Sequence, residues 1–342
     1  MHLDDTAKSL TRVAVIGIGE HAETKLLPAI RAVSKLWLVA VSSRDAIKAK
    51  RILDRHPGIS IHASHTDEAL YESADLIVAA GPPQFNQKII DAALRRNKHV
   101  LCEKPLATDR STLAHLLGVA ETAGSAITAV GLNLRFSATI RELIARGEHD
   151  PIAAIHIEYA TTKPVTVAWG ALNVAASCTL WHAIHVIDLA QSFLGPIRLS
   201  QIRQMELDEP GIAIEVQLQG NRCCGSILLH NCAPAFSLTI RTMHRSGTIA
   251  TLTDLKSLTL SKPKHISATS SLYREQPRSY SLGTLADDID SAGYRTMFAH
   301  IAHSIETGVQ PLTSFQNTAS AHTLLFELID AVSLDPGNER EA

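Results

Sequence analysis

Short apolar runs that alternate with helical stretches dominate the first 131 residues of the chain. The first run, residues 12–19 (RVAVIGIG), is rich in β-branched residues and ends in glycines, which is typical of a buried strand followed by a turn. Further strands are predicted at Leu36–Val41, Asp75–Ala80, His99–Cys102 and Ala126–Gly131. Helices are predicted between them at Glu20–Val33 with a bend at Pro28, Ala46–Asp54, Gln87–Arg96 and Ser111–Ala123. This alternation predicts parallel βαβ units and therefore an open, doubly wound α/β sheet.

The pattern changes from Ile152 onward, where short strand candidates follow one another with few helices between them. These strands are predicted at Ile155–Tyr159, Ile212–Leu218, Ser226–Leu229, Ser237–Thr242, Thr248–Leu252 and Ser257–Leu260. Helices are predicted at Leu180–Leu194, Tyr294–Glu306 and Thr313–Ala331, and a loop at Ser261–Gly283. Strands joined by short turns are typical of antiparallel sheets. The sequence therefore predicts a second, α+β domain with a large, mostly antiparallel open sheet, beginning near Gly147–Pro151.

Composition narrows the class of protein further. A length of 342 residues suits two domains, and a hydrophobic content of 45% is enough for two cores. The formal charge of −2, without a run of Lys or Arg, gives no reason to expect a nucleic acid or a membrane as partner. No segment approaches the roughly 18 apolar residues that span a bilayer, and the polar N-terminus does not resemble a secretory signal. Five cysteines without a CxxC pair are typical of reduced thiols, so a cytoplasmic protein is expected.

The turn after the first strand carries a glycine motif, G-x-G-x-x-A, in which Gly17 and Gly19 precede Glu20, His21 and Ala22. Glycines allow a tight turn and a close approach of a cofactor pyrophosphate. The helix N-terminus that follows offers N–H groups and a positive dipole end to the phosphates. The motif at this position favours a Rossmann-type dinucleotide site, with a plain structural turn as the alternative.

The end of the second predicted strand reads Ser42-Ser43-Arg44, with Lys48 one turn further on. An NAD site usually has an acidic residue here that binds the ribose 2′-hydroxyl. Hydroxyl groups and a guanidinium instead suit a 2′-phosphate, which Arg can bind with two parallel hydrogen bonds. NADP is therefore the preferred cofactor. NAD stays an alternative, because Arg44 could be a solvated loop charge and Asp45 could serve the ribose.

The segment Glu103-Lys104-Pro105 follows the predicted strand His99–Cys102. Ligands of open α/β sheets bind at the carboxyl ends of the strands, which is where this lysine falls. A lysine near a cationic nicotinamide has a lowered pKa and can exchange protons near neutral pH. Lys104 is therefore the candidate acid/base beside a hydride transfer, although the tripeptide alone occurs by chance in many chains.

The helix predicted at Leu180–Leu194 is mostly apolar but carries a polar stripe. At about 100° per residue, His182, His185 and Asp188 fall on one side of it. Such a stripe favours a helix that lines a cavity, with Asp188 as a structural hydrogen-bonding partner. The same spacing could hold a metal, but no further ligand motif accompanies it and zinc sites usually need more ligands, so no metal is expected.

Longer segments around these motifs form a pattern that covers residues 12 to 331. They read Ala80-Gly81-Pro82-Pro83, Ala92-Ala93-Leu94, Lys98 to Ala107 (KHVLCEKPLA), Gly131 to Phe136 (GLNLRF), His185 to Asp188 (HVID) and Pro311-Leu312-Thr313. Together they resemble the Gfo/Idh/MocA family of dehydrogenases and reductases. The EKP segment with its flanks is the most specific of the matches.

The resemblance implies a Rossmann domain and a substrate-binding and oligomerisation domain, which we place at 12–148 and 149–342 after a polar arm at 1–11. It implies an NAD(P)-dependent enzyme that exchanges hydride with a sugar, cyclitol or related carbonyl or alcohol, in a homo-oligomer (dimer or tetramer). The family's lysine falls on Lys104 and its histidine on His185. Cofactor contacts are expected at Gly17, Gly19, Glu20, His21, Ser42, Ser43, Arg44, Lys48, Gly81, Pro82, Glu103 and Lys104, and substrate contacts at Asn133, Arg135, Trp181, His182 and His185.

Two positions depart from the family pattern. The family often has an aspartate four residues before the histidine, where this chain has Trp181, and a histidine after the proline pair, where it has Asn86. An aspartate would bind a substrate hydroxyl, whereas an indole donates one hydrogen bond and packs on apolar groups. We therefore expect a substrate less hydroxylated than a simple sugar. An imine or keto-intermediate reductase of a specialised biosynthetic pathway is an alternative, and so is a non-catalytic dinucleotide- or sugar-sensing regulator on the same fold.

Overall fold

The structure is a computed structural model, and it describes residues 10–208, 211–262, 278–281, 291–333 and 340–341. Contacts between residues divide the chain into two compact units. The first comprises the described residues up to Ala107 with Ser111–Gly131 and Tyr294–Asn317, and the second comprises Thr108–Arg110, Leu132–Gly293 and the residues from Thr318 onward. Most of the predicted arm at 1–11 lies outside the described residues, and the domain limits 12–148 and 149–342 stay predictions.

The first unit is built on a six-stranded sheet. Its strands are β1 (Thr11–Ile16), β2 (Leu36–Ser42), β3 (Ser60–His62), β4 (Leu76–Ala79), β5 (His99–Cys102) and β6 (Thr128–Val130). They lie in the order β3-β2-β1-β4-β5-β6, and all neighbouring strands are parallel. The order reverses between β1 and β4, and this switch point opens a crevice at the carboxyl ends of the strands. The predicted doubly wound α/β sheet is confirmed.

The central strands of this sheet are buried on both faces. Every residue of β4 is buried, and so are the last four residues of β1. Helices cover both faces of a parallel sheet, so its strands read as continuous apolar runs and not as alternating ones. The apolar runs in the sequence therefore predict the central strands of this sheet.

Two π-helical turns lie among the helices, one directly before α1 and one between α7 and α8. In chain order they are a π-helical turn at Ala22–Leu26, α1 (Leu27–Arg31), α2 (Ala46–Arg55), α3 (Glu68–Ser73), α4 (Pro83–Leu94), α5 (Arg110–Thr122), a 3₁₀ turn at Asn133–Phe136, α6 (Ala138–His149), α7 (Val174–Cys178), a π-helical turn at Thr179–Ala183, α8 (Ile184–Leu194), α9 (Tyr294–Thr307) and α10 (Phe315–Ser333). Pro28 lies in the first turn of α1, directly after the first π-helical turn. Within the described part of the chain, no helix is both long and apolar enough to cross a membrane.

The second unit contains a nine-stranded sheet. Its strands are β7 (Ile152–Ala160), β8 (Ile197–Glu206), β9 (Ile212–Gly220), β10 (Cys224–His230), β11 (Ser237–His244), β12 (Ile249–Thr253), β13 (Ser257–Ser261), β14 (Arg278–Ser281) and β15 (Arg340–Glu341). The order is β14-β13-β12-β11-β7-β10-β9-β8-β15. Only β7 and β10 pair in parallel, and the other described pairs are antiparallel. The predicted α+β domain with a large, mostly antiparallel sheet is confirmed.

Three local predictions for the chain differ from the structure. The predicted loop Ser261–Gly283 is wrong at Arg278–Ser281, because these residues pair with β13 as strand β14, while 263–277 lie outside the described residues. The helix predicted to begin at Leu180 begins earlier, since the Asn173 side chain accepts a hydrogen bond from Ala176 N–H and caps α7. Strand β3, which ends at His62, has no counterpart among the predicted strands. A strand of three residues is too short to show an alternating pattern.

Candidate active site

The glycine motif forms the turn at the carboxyl end of β1. Gly17 has a φ of +96°, and a Cβ added there would lie 2.7 Å from the backbone nitrogen of Gly81. The turn after β1 and the turn after β4 are therefore in backbone contact, which only glycine allows. A Cβ on Gly19 would meet nothing within 4 Å, so an open space lies beside this residue at the start of the helix. Open space over a glycine at a helix N-terminus fits a bound pyrophosphate.

The two glycines of this turn give a first testable prediction. Gly17→Ala should lower the free energy of unfolding by about 1–3 kcal/mol, because it adds a side chain at positive φ and against Gly81. Gly19→Ala is the matched control for stability, since its methyl group meets only open space. It should change stability by less than about 0.5 kcal/mol while weakening NADPH binding at least about tenfold. Urea unfolding and NADPH titration measure the two effects. NADPH binding by Gly19→Ala at the parent level would contradict the proposed cradle.

The end of β2 places hydroxyl and cationic side chains near this turn. Ser42 is buried and Arg44 is exposed. The Lys48 ammonium donates to the carbonyl of Ile18 at 3.0 Å, so α2 is tied to the glycine turn. One oxygen of Asp45 accepts hydrogen bonds from the N–H groups of Ile47 and Lys48 and caps α2. The Lys48 N–H is the main cause of the lowered pKa of Asp45.

Lys104 follows β5, two strands from β1 in the sheet, and a cis peptide bond joins it to Pro105. Burial lowers the pKa of the Lys104 ammonium, and the neighbouring Glu103 carboxylate opposes this shift. A partly buried lysine with a lowered pKa can give up or take a proton closer to neutral pH than a surface lysine can. The structure therefore gives Lys104 an environment that suits acid–base chemistry.

Glu103 joins the lysine segment to the glycine turn. Its carboxylate Oε1 lies 3.4 Å from Nε2 of His21, and the His21 ring packs edge-on against Tyr294 at 5.5 Å between centroids. A Cβ on Gly131 would lie 2.9 Å from the same Oε1, so the glycine makes room for the carboxylate. Four residues predicted from separate motifs or segments, His21, Glu103, Lys104 and Gly131, are thus brought together in the first unit.

The turn after β4 is held by a side chain that the sequence reasoning did not assign. Asn86 Oδ1 accepts a hydrogen bond from the N–H of Gly81 at 2.8 Å, and Asn86 is 1% exposed. A Cβ on Gly81 would lie 2.4 Å from the Phe85 ring. Asn86 stands where the family often has histidine, and here it supports the turn that includes Gly81 and Pro82. In the sequence, only the replacement of the family's histidine by asparagine drew attention to Asn86.

In the second unit, several predicted substrate contacts have partners of their own. Arg135 and Asp188 form a buried, two-pronged ion pair, with Nε of Arg135 2.9 Å from Oδ2 of Asp188 and a second contact through NH2 and Oδ1. Asp188 is therefore the structural partner that the helix pattern predicted. The amide of Asn133 donates to the carbonyl of Ala292 at 2.9 Å. His185 lies on α8 and is 6% exposed. The guanidinium of Arg135 and the amide of Asn133 thus have structural roles.

Trp181 and His182 lie in the π-helical turn before α8. The Trp181 ring stacks on Trp169, with 4.7 Å between centroids and 29° between planes. His182 Nε2 lies 2.9 Å from the carbonyl oxygen of Lys163, and its ring packs on Tyr159. The sequence reasoning missed Trp169, because nothing along the chain connects it with Trp181.

The described residues contain no group of three or more His, Cys, Asp or Glu side chains placed to hold a metal ion. Asp188, one member of the stripe that could be read as metal ligands, is bound to Arg135. The cysteines are free thiols, and burial raises the pKa of Cys178 to about 12.

A six-stranded parallel sheet with a glycine cradle at β1 and a lysine after β5 defines a dinucleotide-binding fold. Residues 11–131 match the family described as "Oxidoreductase family, NAD-binding Rossmann fold", which is the Gfo/Idh/MocA family. The match confirms the predicted resemblance to this family for residues 11–131, which form most of the first unit.

Relatives and solved structures agree with this assignment. The dTDP-3,4-didehydro-2,6-dideoxy-alpha-D-glucose 3-reductase of Actinomadura kijaniata is 37% identical over 115 residues, which are 33% of this chain and 34% of that protein. Inositol 2-dehydrogenase 3 of Saccharopolyspora erythraea is 25% identical over 252 residues, 70% of this chain and 72% of that protein. The chain thus spans about a third of the length of the first relative and more of the second.

Two solved structures share the fold of most of the chain. A dehydrogenase from Chromobacterium violaceum has a TM-score of 0.86 at 23% identity, covering 94% of this chain and 95% of that one. A 3-ketoreductase from Actinomadura kijaniata, in complex with TDP-benzene and NADP, has a TM-score of 0.71 at 19% identity, covering 93% and 96%. Likeness at this identity shows the architecture of both units.

Proposed function

We propose that this chain is an NAD(P)-dependent oxidoreductase that exchanges hydride with the carbonyl or alcohol of a sugar-like substrate, with Lys104 as acid/base. The observation that carries the proposal is the position of Lys104 after β5, with Glu103 contacting His21 of the glycine turn. The family of residues 11–131 supports it. So do the names of the two relatives, one a sugar reductase and one an inositol dehydrogenase.

A bound nicotinamide supplies the hydride in reduction and accepts it in oxidation. In the direction of reduction, Lys104 Nζ would donate a proton to the carbonyl oxygen of the substrate, which would become the hydroxyl of the alcohol. In the direction of oxidation, neutral Lys104 accepts the hydroxyl proton. The lowered pKa of Lys104 favours both transfers, because general acid–base catalysis works best when the pKa lies near the working pH.

We propose NADP as the preferred cofactor, with NAD as the alternative. Ser42, Ser43 and Arg44 stand where an acidic residue would bind the ribose, and Lys48 adds a second cation. The role of Asp45 as the cap of α2 supports this preference. The Actinomadura kijaniata ketoreductase of the same fold is a complex with NADP.

Arg44→Ala tests the cofactor preference. Loss of a charge-assisted contact to the 2′-phosphate should weaken NADPH binding by about 1.5–3 kcal/mol, roughly 10- to 150-fold, and leave NADH binding unchanged. Lys50→Ala is the matched control, since it removes a positive charge from an exposed residue of α2. Fluorescence titration with both cofactors measures the change. Equal affinity of the parent protein for NADPH and NADH would contradict the preference.

For the substrate, we infer a keto sugar that lacks some hydroxyl groups of a simple sugar. Trp181 in place of an aspartate supports this, and so does the name of the dideoxy-sugar 3-reductase. In the second unit, we assign His185 to substrate positioning. NADPH oxidation with a panel of keto-deoxy sugars, together with NADP reduction by glucose and myo-inositol, tests the proposal. Brisk oxidation of myo-inositol would contradict the substrate class, and no turnover with any carbonyl or alcohol would contradict the enzyme.

We also infer a cytoplasmic homo-oligomer, a dimer or tetramer, that assembles through the second unit. Strand β11 alternates buried residues with the exposed Arg241 and Met243, and Met205 on β8 is 42% exposed. An open sheet face that carries apolar side chains supports assembly through this surface. The free cysteines fit a reducing compartment. Sedimentation equilibrium tests the oligomer, and a monomer at micromolar concentration would contradict it.

A further inference from the structure

Trp169 occupies a backbone conformation that tryptophan rarely adopts. Trp169 and Gly170 have φ values of +54° and +77°, and the N–H of Ala171 donates to the carbonyl of Ala168 at 3.1 Å. Two central residues at positive φ are the pattern of a type I′ turn, which favours Asn-Gly. A bulky residue at positive φ is an outlier that surrounding structure must hold in place.

Hydrogen bonds to α7 hold this turn. The N–H of Ala168 donates to Oγ of Ser177, which is fully buried and donates to the carbonyl of Asn173. The amide of Asn173 also donates to the carbonyl of Val332. Earlier in the same loop, the carbonyl oxygen of Lys163 contacts Nε2 of His182 in the π-helical turn. The loop is thus fastened to the helical segment through Lys163 and Ala168, which both precede Trp169.

The turn places Trp169 in a stack with Trp181, and both rings are only partly buried. Nε1 of Trp181 is buried, so the accessible part of this side chain is hydrocarbon. The same loop exposes Val165 and Val167 at 45% and 53%. His185 follows Trp181 by one helical turn, so the two side chains leave neighbouring points of the helix.

We propose that Trp169 and Trp181 form an aromatic platform that binds the apolar face of a deoxy-sugar ring, with Trp169 as a specificity-determining residue. This inference rests on the proposed function and narrows its substrate class. Carbon-bound hydrogens and a methyl group pack on indole rings without leaving a polar group unpaired. A hydroxyl pointing at this hydrocarbon surface would lose its hydrogen bonds to water. The platform therefore selects a 6-deoxy sugar over its hydroxylated counterpart.

Calorimetry with two sugars that differ by one hydroxyl tests the platform. dTDP-6-deoxy-D-glucose and dTDP-D-glucose are titrated into the protein saturated with NADP. The parent protein should bind the deoxy sugar about tenfold more tightly, the discrimination that an apolar pocket gives for one small group. Trp169→Ala should bind both sugars with similar affinity, and Trp169→Phe should keep most of the preference. Trp37→Ala is the matched control, because Trp37 lies on β2 and is 54% exposed.

Trp169→Asn separates specificity from folding. It creates the Asn-Gly pair that a type I′ turn prefers, so the turn should persist and the melting temperature should stay close to that of the parent. The preference for the deoxy sugar should nevertheless be lost. Equal binding of both sugars by the parent, no binding of either, or an unchanged preference in Trp169→Ala and Trp169→Asn would each overturn the platform. Absence of NADPH turnover, with the binding preference intact, would instead count against the proposed function alone.

Discussion

Lys104→Met is expected to reduce turnover by about 10²- to 10⁴-fold while cofactor binding stays intact, because general acid–base catalysis contributes this much. Methionine keeps the length and apolar stem of lysine but cannot carry a proton. Lys98→Met is the matched control, since Lys98 precedes β5 at the opposite end of the strand. Steady-state rates and NADPH titration measure the two effects. Near-normal turnover of Lys104→Met on the true substrate would remove Lys104 from the mechanism.

The pH dependence of the parent enzyme gives a second readout of the same residue. Burial lowers the pKa of Lys104 below its ordinary value of 10.5. Below the lowered pKa the ammonium can donate a proton, and above it the neutral amine can accept one. Reduction should therefore become slower as the pH rises through this pKa, and oxidation should become faster. A reduction rate that stays constant up to pH 10.5 would show that the lysine does not donate the proton.

The second large effect is expected for stability and concerns the ion pair of Arg135 and Asp188. Their side chains are 15% and 2% exposed. Asp188→Ala leaves the guanidinium without its carboxylate in a mostly buried position, which costs about 3–5 kcal/mol. Urea unfolding followed by circular dichroism measures this loss.

Glu142→Ala is the matched control for this prediction. Glu142 pairs with Arg146 one turn away on α6, where both side chains are more than a third exposed. An exposed pair of this kind contributes only about 0.3–0.5 kcal/mol, so the control should unfold almost like the parent. A loss below about 1 kcal/mol in Asp188→Ala would show that solvent or another group replaces the carboxylate.

The sequence predicted the architecture because both sheets leave local signals. The parallel sheet is covered on both faces, so its central strands are continuous apolar runs such as Leu76–Ala79. The antiparallel sheet gave short strands close together, such as β11 and β12. The strand β3 and the early start at α7 escaped prediction, because one is three residues long and the other depends on the Asn173 cap.

The candidate site was predictable where its residues are close in sequence or stand in a motif. Gly17, Gly19 and Lys104 are candidates that the sequence offers in this way. Contacts between distant residues could not be read from spacing, such as Arg135 with Asp188 across 53 positions. Trp169 gave no signal, because a type I′ turn is usually marked by Asn or Gly at this position and not by an aromatic residue.

The bond from Lys48 to the Ile18 carbonyl bears on any attempt to re-engineer the cofactor choice. The ammonium of Lys48 braces the glycine turn, and in the proposed site the same charge would bind the 2′-phosphate of NADP. Arg44 makes no such contact in the described structure and is the position open to redesign. Exchanging Arg44 for an acidic residue changes the recognition of the ribose and leaves the brace in place. If Arg44 and Lys48 were both replaced, a change in cofactor preference could not be separated from the loss of the hydrogen bond that holds the glycine turn.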